Sequence, residues 1–326
     1  MKQLVENFSN QLREAIKIGE NAHFTEHSNP FHHVLISGLG GSGIGGSIVA
    51  EIVEQLACAP ISVNKKYEIP AFVNEHTLVI ISSYSGNTEE TVAAMESAHK
   101  KGAKIVCVSS GGYVIDFAKK NNLNYIIVPG GMPPRSCLGY SLTQLFFILS
   151  YFKIIPNNFK PELNKAIDLI EKEREDIKSI AHAVAQKLHD KIPVIYTLSN
   201  EGVAIRFRQQ INENSKMLCW HHVIPEMNHN ELVGWTEKNN QLAVVIFRNS
   251  NDFSRNIKRL EINLEIISKY TDTIIHLMSK GDSDIERAIY HIHLGDWISC
   301  YIADIKKIDP IEVNVINHLK GALSKI

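Results

Sequence analysis

Three features of the 326-residue chain predict an α/β protein made of two parallel sheets, each sandwiched between α-helices. Short runs of apolar, mostly β-branched residues recur along it, segments of helical periodicity separate them, and the alternation pauses at a long charged stretch before resuming. Apolar runs without strict alternation suit strands covered on both faces, as in a parallel sheet. With 44% hydrophobic and 21% charged residues, the chain has ordinary globular composition and the length for two domains with real cores.

The elements follow in order. Met1 to Phe24 mixes charges with Leu4, Phe8, Leu12, Ala15 and Ile16 at helical spacing and has no apolar run followed by a cleavage site, so it reads as a helix and implies no export. Strands are expected at Val34–Ile36, Ile61–Val63, Leu78–Ile81, Ile105–Val108 and Tyr125–Val128. From 161 to 190, Leu163, Ala166, Ile167, Ile170, Ile177, Ile180, Ala181, Val184 and Leu188 keep a helical period, which predicts one helix joining two halves and a boundary near residue 155. The halves are then 1–155 and 156–326. In the second, strands at Pro193–Leu198, Leu242–Phe247 and Thr273–Leu277 and a helix from Gly202 to about Met217 repeat the plan of the first. Closing helices from about Ile285 to Leu323 break once, at Asp309-Pro310.

Composition excludes several classes of function. Lys and Arg number 34 against 35 Asp and Glu, so nothing draws the protein as a whole to nucleic acid. The most apolar stretches, Leu145–Phe152 and Leu242–Phe247, fall far short of the roughly 20 residues that cross a bilayer, which speaks for a soluble protein. Five scattered cysteines form no CxxC pair, which argues against a disulfide framework and fits a reducing cytoplasm.

The chemistry gathers in four places. Gly38 to Gly46 holds the densest glycine cluster, directly after the first strand and opening a helix, where bare backbone amides favour an anion. Gly38, Gly40 and Gly43 satisfy GxGxxG, but the acidic residue a dinucleotide site needs about 20 residues on is missing from Cys58–Asn64, so a nicotinamide dehydrogenase is disfavoured. A second loop, Ser82 to Thr88, leads from the third strand into a helix at Glu89-Glu90; its hydroxyls and amides suit a phosphate monoester, although Asn87 or Thr88 would also serve as a plain helix cap. Two such loops at neighbouring strand ends point to a phosphorylated small molecule. Gly130 to Arg135 places an arginine at the same edge, for an anionic oxygen or a surface ion pair. The last cluster, Asn212–Lys216 and Pro225–Glu231, supplies carboxylates and an imidazole for moving protons, without choosing among Glu201, Glu213, Glu226 and Glu231. His32-His33, His221-His222 and His291/His293 lack partners at any recognised metal-ligand spacing, and no metal is expected.

Taken together, the segments Gly38–Gly46, Ser82–Glu90, Pro133–Tyr140, Asn212–Asn214, Pro225–Glu231 and Asp309-Pro310 resemble the bifunctional phosphoglucose/phosphomannose isomerases of the sugar isomerase (SIS) superfamily, in order and over nearly the whole chain. The first two are shared by many SIS proteins, and the segments at Pro133–Tyr140, Asn212–Asn214 and Pro225–Glu231 are much more specific. The resemblance implies two SIS subdomains, the first with the phosphate loops and the second with the catalytic Glu and His, in a homodimer whose active sites lie near the subunit interface. It implies no cofactor. Gly41, Ser42, Ser83, Ser85 and Thr88 match sugar-phosphate-binding positions, Arg135 the arginine beside the reacting carbons, Glu213 the catalytic base, His229 the histidine of ring opening, and Lys320 the family's late lysine. Some members carry a threonine after the Asp-Pro pair, associated with mannose 6-phosphate; Ile311–Val315 has none, so the match covers the phosphoglucose activity more fully.

The expected reaction is aldose-ketose isomerisation of glucose 6-phosphate, and of mannose 6-phosphate, to fructose 6-phosphate through an enediolate. One carboxylate serves both proton transfers, because taking the C2 proton regenerates the acid that returns it at C1. A non-catalytic sugar-phosphate sensor on the same fold is the competing expectation.

Overall fold

The computed structural model describes residues 1–27, 29–323 and 325. The chain opens with α1 (Lys2–Glu6) and α2 (Phe8–Glu20), then runs β1 (His33–Ser37), α3 (Gly40–Ile52), β2 (Ile61–Asn64), β3 (Thr77–Ser82), α4 (Glu89–Lys100), β4 (Lys104–Ser109), α5 (Gly112–Lys120) and β5 (Asn124–Ile127). A 3-10 turn at Pro134–Ser136 leads to α6 (Leu138–Tyr151), α7 (Phe159–Lys172) and α8 (Arg174–Leu188). The second alternation is β6 (Ile192–Thr197), α9 (Glu201–Ser215), β7 (Trp220–Val223), β8 (Leu242–Arg248), α10 (Ser254–Ile267) and β9 (Ile274–Met278), closed by α11 (Asp284–Lys306) and α12 (Asn314–Leu323).

The two parallel sheets are present. The first is ordered β2-β1-β3-β4-β5 and the second β7-β6-β8-β9, with every pairing parallel. In each, the order reverses beside the first strand in sequence, which opens a crevice at the carboxyl ends of β1 and β3 in the first sheet and of β6 and β8 in the second. Central strands are buried at nearly every position, β3 at all six, as the unbroken apolar runs predict. The edge strands depart from that expectation: Tyr125 and Ile127 on β5, and His276 and Met278 on β9, are exposed, because helices reach an outermost strand on one face only. The main core runs from Val5 to Ile302 without a break between halves, and smaller clusters around Val79 and Val244 fill the outer faces. Helix α11 lies at the centre, buried all round from Ile285 to Cys300 and packed on α7, α8 and α9.

Two expectations need correction. The predicted single helix over 161–190 is two, α7 and α8, separated at Glu173 (φ −88°, ψ 7°), where the side chain pairs with Lys280. The bend lets both pieces lie along α11, and it leaves Ile180, read as part of the apolar stripe, 38% exposed. Strand β7 was not expected at all: Trp-His-His-Val is neither an apolar run nor an alternation, and it pairs with β6 as a half-exposed edge.

Candidate active site

The cradle is built where the first sheet changes direction. Helix α3 starts at Gly40 and α4 at Glu89, and neither start carries a side-chain cap; the Ser42 N–H already donates to the Leu39 carbonyl at 3.1 Å, so at α3 the Gly40 and Gly41 amides are the ones left for another acceptor. Thr88 occupies the cap position of α4, yet its hydroxyl accepts from Ser83 Oγ at 3.3 Å, while Asn87 Oδ1 accepts the Tyr113 N–H at 2.9 Å; neither acts as the plain cap that the sequence allowed. Ser85 Oγ accepts the Asn87 N–H at 3.3 Å. Ser42 Oγ accepts the Tyr84 N–H at 3.1 Å and so joins the two loops. Two glycines are required by geometry. Gly86 has φ +70° and lies against the Gly111 carbonyl, and Gly41 packs so closely on the Pro134 carbonyl and the Arg135 Cα that a Cβ would sit 3.0 and 3.2 Å from them.

That close approach seats the arginine. Tyr84 Oη accepts the Met132 N–H at 3.2 Å, tying the second loop to the turn that carries Arg135. Arg135 is 5% exposed and reaches across to the second half. Its Nε donates to Asn214 Oδ1 at 2.7 Å, Nη1 to Glu213 Oε2 at 3.2 Å, and Nη2 to the carbonyls of Pro310 and Ile311. Burial lowers the Arg135 pKa from its ordinary value, and the Glu213 charge opposes that fall. Asn214 is fully buried, whereas the Glu213 side chain keeps 29% of its surface open. Lys216, in left-handed conformation after α9, donates to the carbonyls of Glu213 at 2.5 Å and Glu312 at 2.7 Å, fixing the helix end to the chain that follows α11.

The structure thus separates the four glutamates that sequence reasoning left open. Glu201 pairs with His221 Nε2 at 3.5 Å, Glu226 accepts from Asn230 Nδ2 at 2.9 Å, and Glu231 accepts from Tyr196 Oη at 2.5 Å and Trp220 Nε1 at 3.2 Å. Glu213 alone of the four faces the arginine beside the cradle. His229 ends a 3-10 turn at Glu226–His229 and is exposed; Lys320 lies on α12, whose residues are all unburied. Among the described residues neither side chain makes a hydrogen bond or ion pair, and neither is brought against Glu213. Of the paired histidines, His291 and His293 are buried in α11, and burial pushes their pKa values down to about 4 and about 3. A cavity of about 910 Å³, lined by His27, Phe31, Cys58 and Tyr151 among others, opens at the opposite sheet edge and contains none of these residues.

Sequence reasoning quoted Asn214 and Lys216 within a motif but gave them no role, and it missed Arg206 and Asp296. A lone acid inside an otherwise uncharged run, Tyr290 to Cys300, was the available signal for Asp296.

Comparison with known proteins supports the fold and shows the family. The SIS domain matches residues 30–126, and the bacterial phospho-glucose isomerase C-terminal SIS domain matches 177–323. A bifunctional phosphoglucose/phosphomannose isomerase of Caldicellulosiruptor bescii is 36% identical over all of this chain and 99% of its own length. The chain belongs to that family. The Aquifex aeolicus protein of the same name is 33% identical over 99% of this chain and 98% of its own. Among solved structures, the C-terminal domain of glucosamine-fructose-6-phosphate aminotransferase from Francisella tularensis superposes with a TM-score of 0.72 at 16% identity, over 94% of this chain and 96% of that one, which shows a shared fold.

Proposed function

We propose that this family member interconverts glucose 6-phosphate, and mannose 6-phosphate, with fructose 6-phosphate. The observation that carries the reading is the 3.2 Å pairing of Arg135 with Glu213, two residues from opposite halves that meet beside the uncapped helix starts. Gly41, Ser42, Ser83, Ser85 and Thr88 hold the phosphate and so fix the position of C1 and C2. Glu213 takes the C2 proton of the open-chain aldose; the C2–H electrons form the C1–C2 double bond, and the carbonyl oxygen takes up the charge. The same carboxyl returns the proton at C1 while the C2 hydroxyl passes its proton to the C1 oxygen and C2 becomes the carbonyl. Arg135 opposes the charge on the enediolate oxygens, and His229 or Lys320 moves the proton of ring opening.

The working form is a cytoplasmic homodimer with its active sites near the subunit interface. Support comes from the exposed Leu218, Val233 and Val315, at 86%, 81% and 83%, on the segments that flank the site, and from the solvent-facing His229 and Lys320. The halves divide near residue 155.

The test is incubation of each hexose 6-phosphate in deuterated water. Label is expected at C2 of the aldose and C1 of the ketose, and Glu213→Gln is expected to abolish its entry. Normal exchange by that variant would remove Glu213 from its role. A wild type that gains thermal stability from sugar phosphate yet exchanges nothing would instead be the sensor.

A further inference from the structure

Helix α9 carries Arg206, Gln210 and Asn214 four residues apart, on one face, at 3%, 2% and 0% exposure. This polar stripe is turned into the protein, against α11. Arg206 Nη2 donates to Asp296 Oδ2 at 2.6 Å and to the main-chain carbonyl of Arg135 at 3.1 Å. Gln210 Nε2 donates to the other oxygen of Asp296 at 2.8 Å. One turn on, Asn214 Nδ2 donates to Ser299 Oγ at 3.0 Å, and Asn214 Oδ1 receives Arg135 Nε at 2.7 Å.

Burying an ion pair with its polar neighbours commonly costs as much as it returns, and apolar residues of similar size would hold two helices together at least as well. The ladder does something that apolar packing does not: it specifies orientation. An asparagine amide can be turned over with little change of shape, and only its partners decide which end faces which neighbour. Ser299 spends its own hydroxyl proton on the Asp296 carbonyl, at 2.7 Å, so it offers Asn214 lone pairs alone. The amide nitrogen must face Ser299, and the oxygen must then face Arg135 Nε. Arg135 is held at both ends, its carbonyl by Arg206 and its Nε by Asn214, and that sets the plane in which Nη1 meets Glu213.

We propose that Ser299 and Asp296 are positioning residues for isomerisation, acting through the Arg206–Gln210–Asn214 ladder to set the guanidinium of Arg135. The inference rests on Arg135 and Glu213 being the reacting pair. Ser299 touches neither, and its effect is relayed through a single amide.

The test compares full-length wild type with Ser299→Ala and Ser299→Thr for fructose 6-phosphate kinetics and for inhibition by two probes. Glucitol 6-phosphate presents the phosphate and tetrahedral carbons only; 5-phosphoarabinonate adds a planar carboxylate that copies the enediolate. Ser299→Ala is expected to lower kcat about tenfold and weaken the arabinonate by a similar factor, as for one lost hydrogen bond of orientation, with KM and glucitol 6-phosphate inhibition held within twofold. Ser299→Thr, which keeps the hydroxyl, is expected to restore both. Equal weakening of the two probes, or unchanged kcat in Ser299→Ala, overturns the proposal. Should Ser299→Ala fail to fold, Ser299→Cys, of similar volume and a poor acceptor, carries the same expectations. If wild type isomerises, Glu213→Gln is dead and Ser299→Ala is normal, the ladder alone is refuted; if wild type does not isomerise, the reading beneath it falls as well.

Discussion

Glu51, near the end of α3, links the halves in a way that makes stability depend on pH. Both its carboxylate oxygens share the Gly202 N–H, at 2.9 and 3.0 Å, so it caps the start of α9 from the opposite half. Burial, with smaller contributions from Glu201 and Glu54, pushes its pKa from 4.5 to about 7, against the amide hydrogen bond and Lys65. Between those values the folded chain keeps a proton at Glu51 that the unfolded chain has released. Folding stability therefore falls as pH rises through that interval and levels off above it. At about 1.4 kcal/mol per pH unit the loss reaches about 3 kcal/mol. Glu51→Gln keeps an oxygen for the Gly202 amide and cannot ionise. In urea titrations from pH 5 to 8 at one protein concentration, it is expected to unfold close to wild type at pH 5 and to be about 2–3 kcal/mol more stable at pH 8, which is about 4 °C in midpoint for a chain of this size. A variant less stable than wild type at pH 8, or offset by the same amount at every pH, would show that burial of this carboxyl does not govern the titration.

Two further outcomes follow from the site. Arg135→Lys cannot reach Asn214 Oδ1 and Glu213 together and leaves the buried Asn214 acceptor unpaired; steady-state assays are expected to show a kcat loss of about 100-fold or more, with KM little changed. Gly41→Ala places a methyl 3.0 Å from the Pro134 carbonyl and 3.2 Å from the Arg135 Cα, so that backbone has to move by tenths of an ångström; kcat is expected to fall about tenfold with a small change in melting midpoint, and full activity would mean that the contact gives way harmlessly.

Much of the fold could be read in the chain because its central strands are buried on both faces and show as unbroken apolar runs, β3 most plainly. Edge strands carry no such signal. Trp220–Val223 pairs on one side only and is half exposed, so its residues are set by what surrounds the site rather than by a core. The bend at Glu173 was hidden for a different reason. The apolar spacing from Leu163 to Leu188 is continuous, and only the path of α11, more than 100 residues later, requires the helix to break there. The cradle loops were legible because glycines and small hydroxyls after a strand have few other uses. The proposed reacting pair was half legible: its residue types narrowed the choice to four glutamates, and only the three-dimensional structure shows that Glu201, Glu226 and Glu231 face other partners while Glu213 faces Arg135.

The hydrogen inventory of Arg135 explains why it is so enclosed. A guanidinium has five N–H groups. Nε is taken by Asn214, one Nη1 hydrogen by Glu213, and Nη2 by the carbonyls of Pro310 and Ile311. Among the described residues one Nη1 hydrogen is left, on the same nitrogen that faces the glutamate. An exposed arginine would sample many rotamers and offer any of its five donors to water. This one is pinned by groups from α9 and from the chain after α11, so the remaining donor points in one direction, beside the carboxyl assigned to carry the proton. Fixed donors of this kind need no reorganisation when charge develops, which makes them worth more to a reaction than the same groups in solvent. The arrangement also explains why the two halves share an unbroken core. The groups that hold the arginine belong to the second half and the turn that carries it to the first, so any slack between the halves would appear directly as error in the position of that hydrogen.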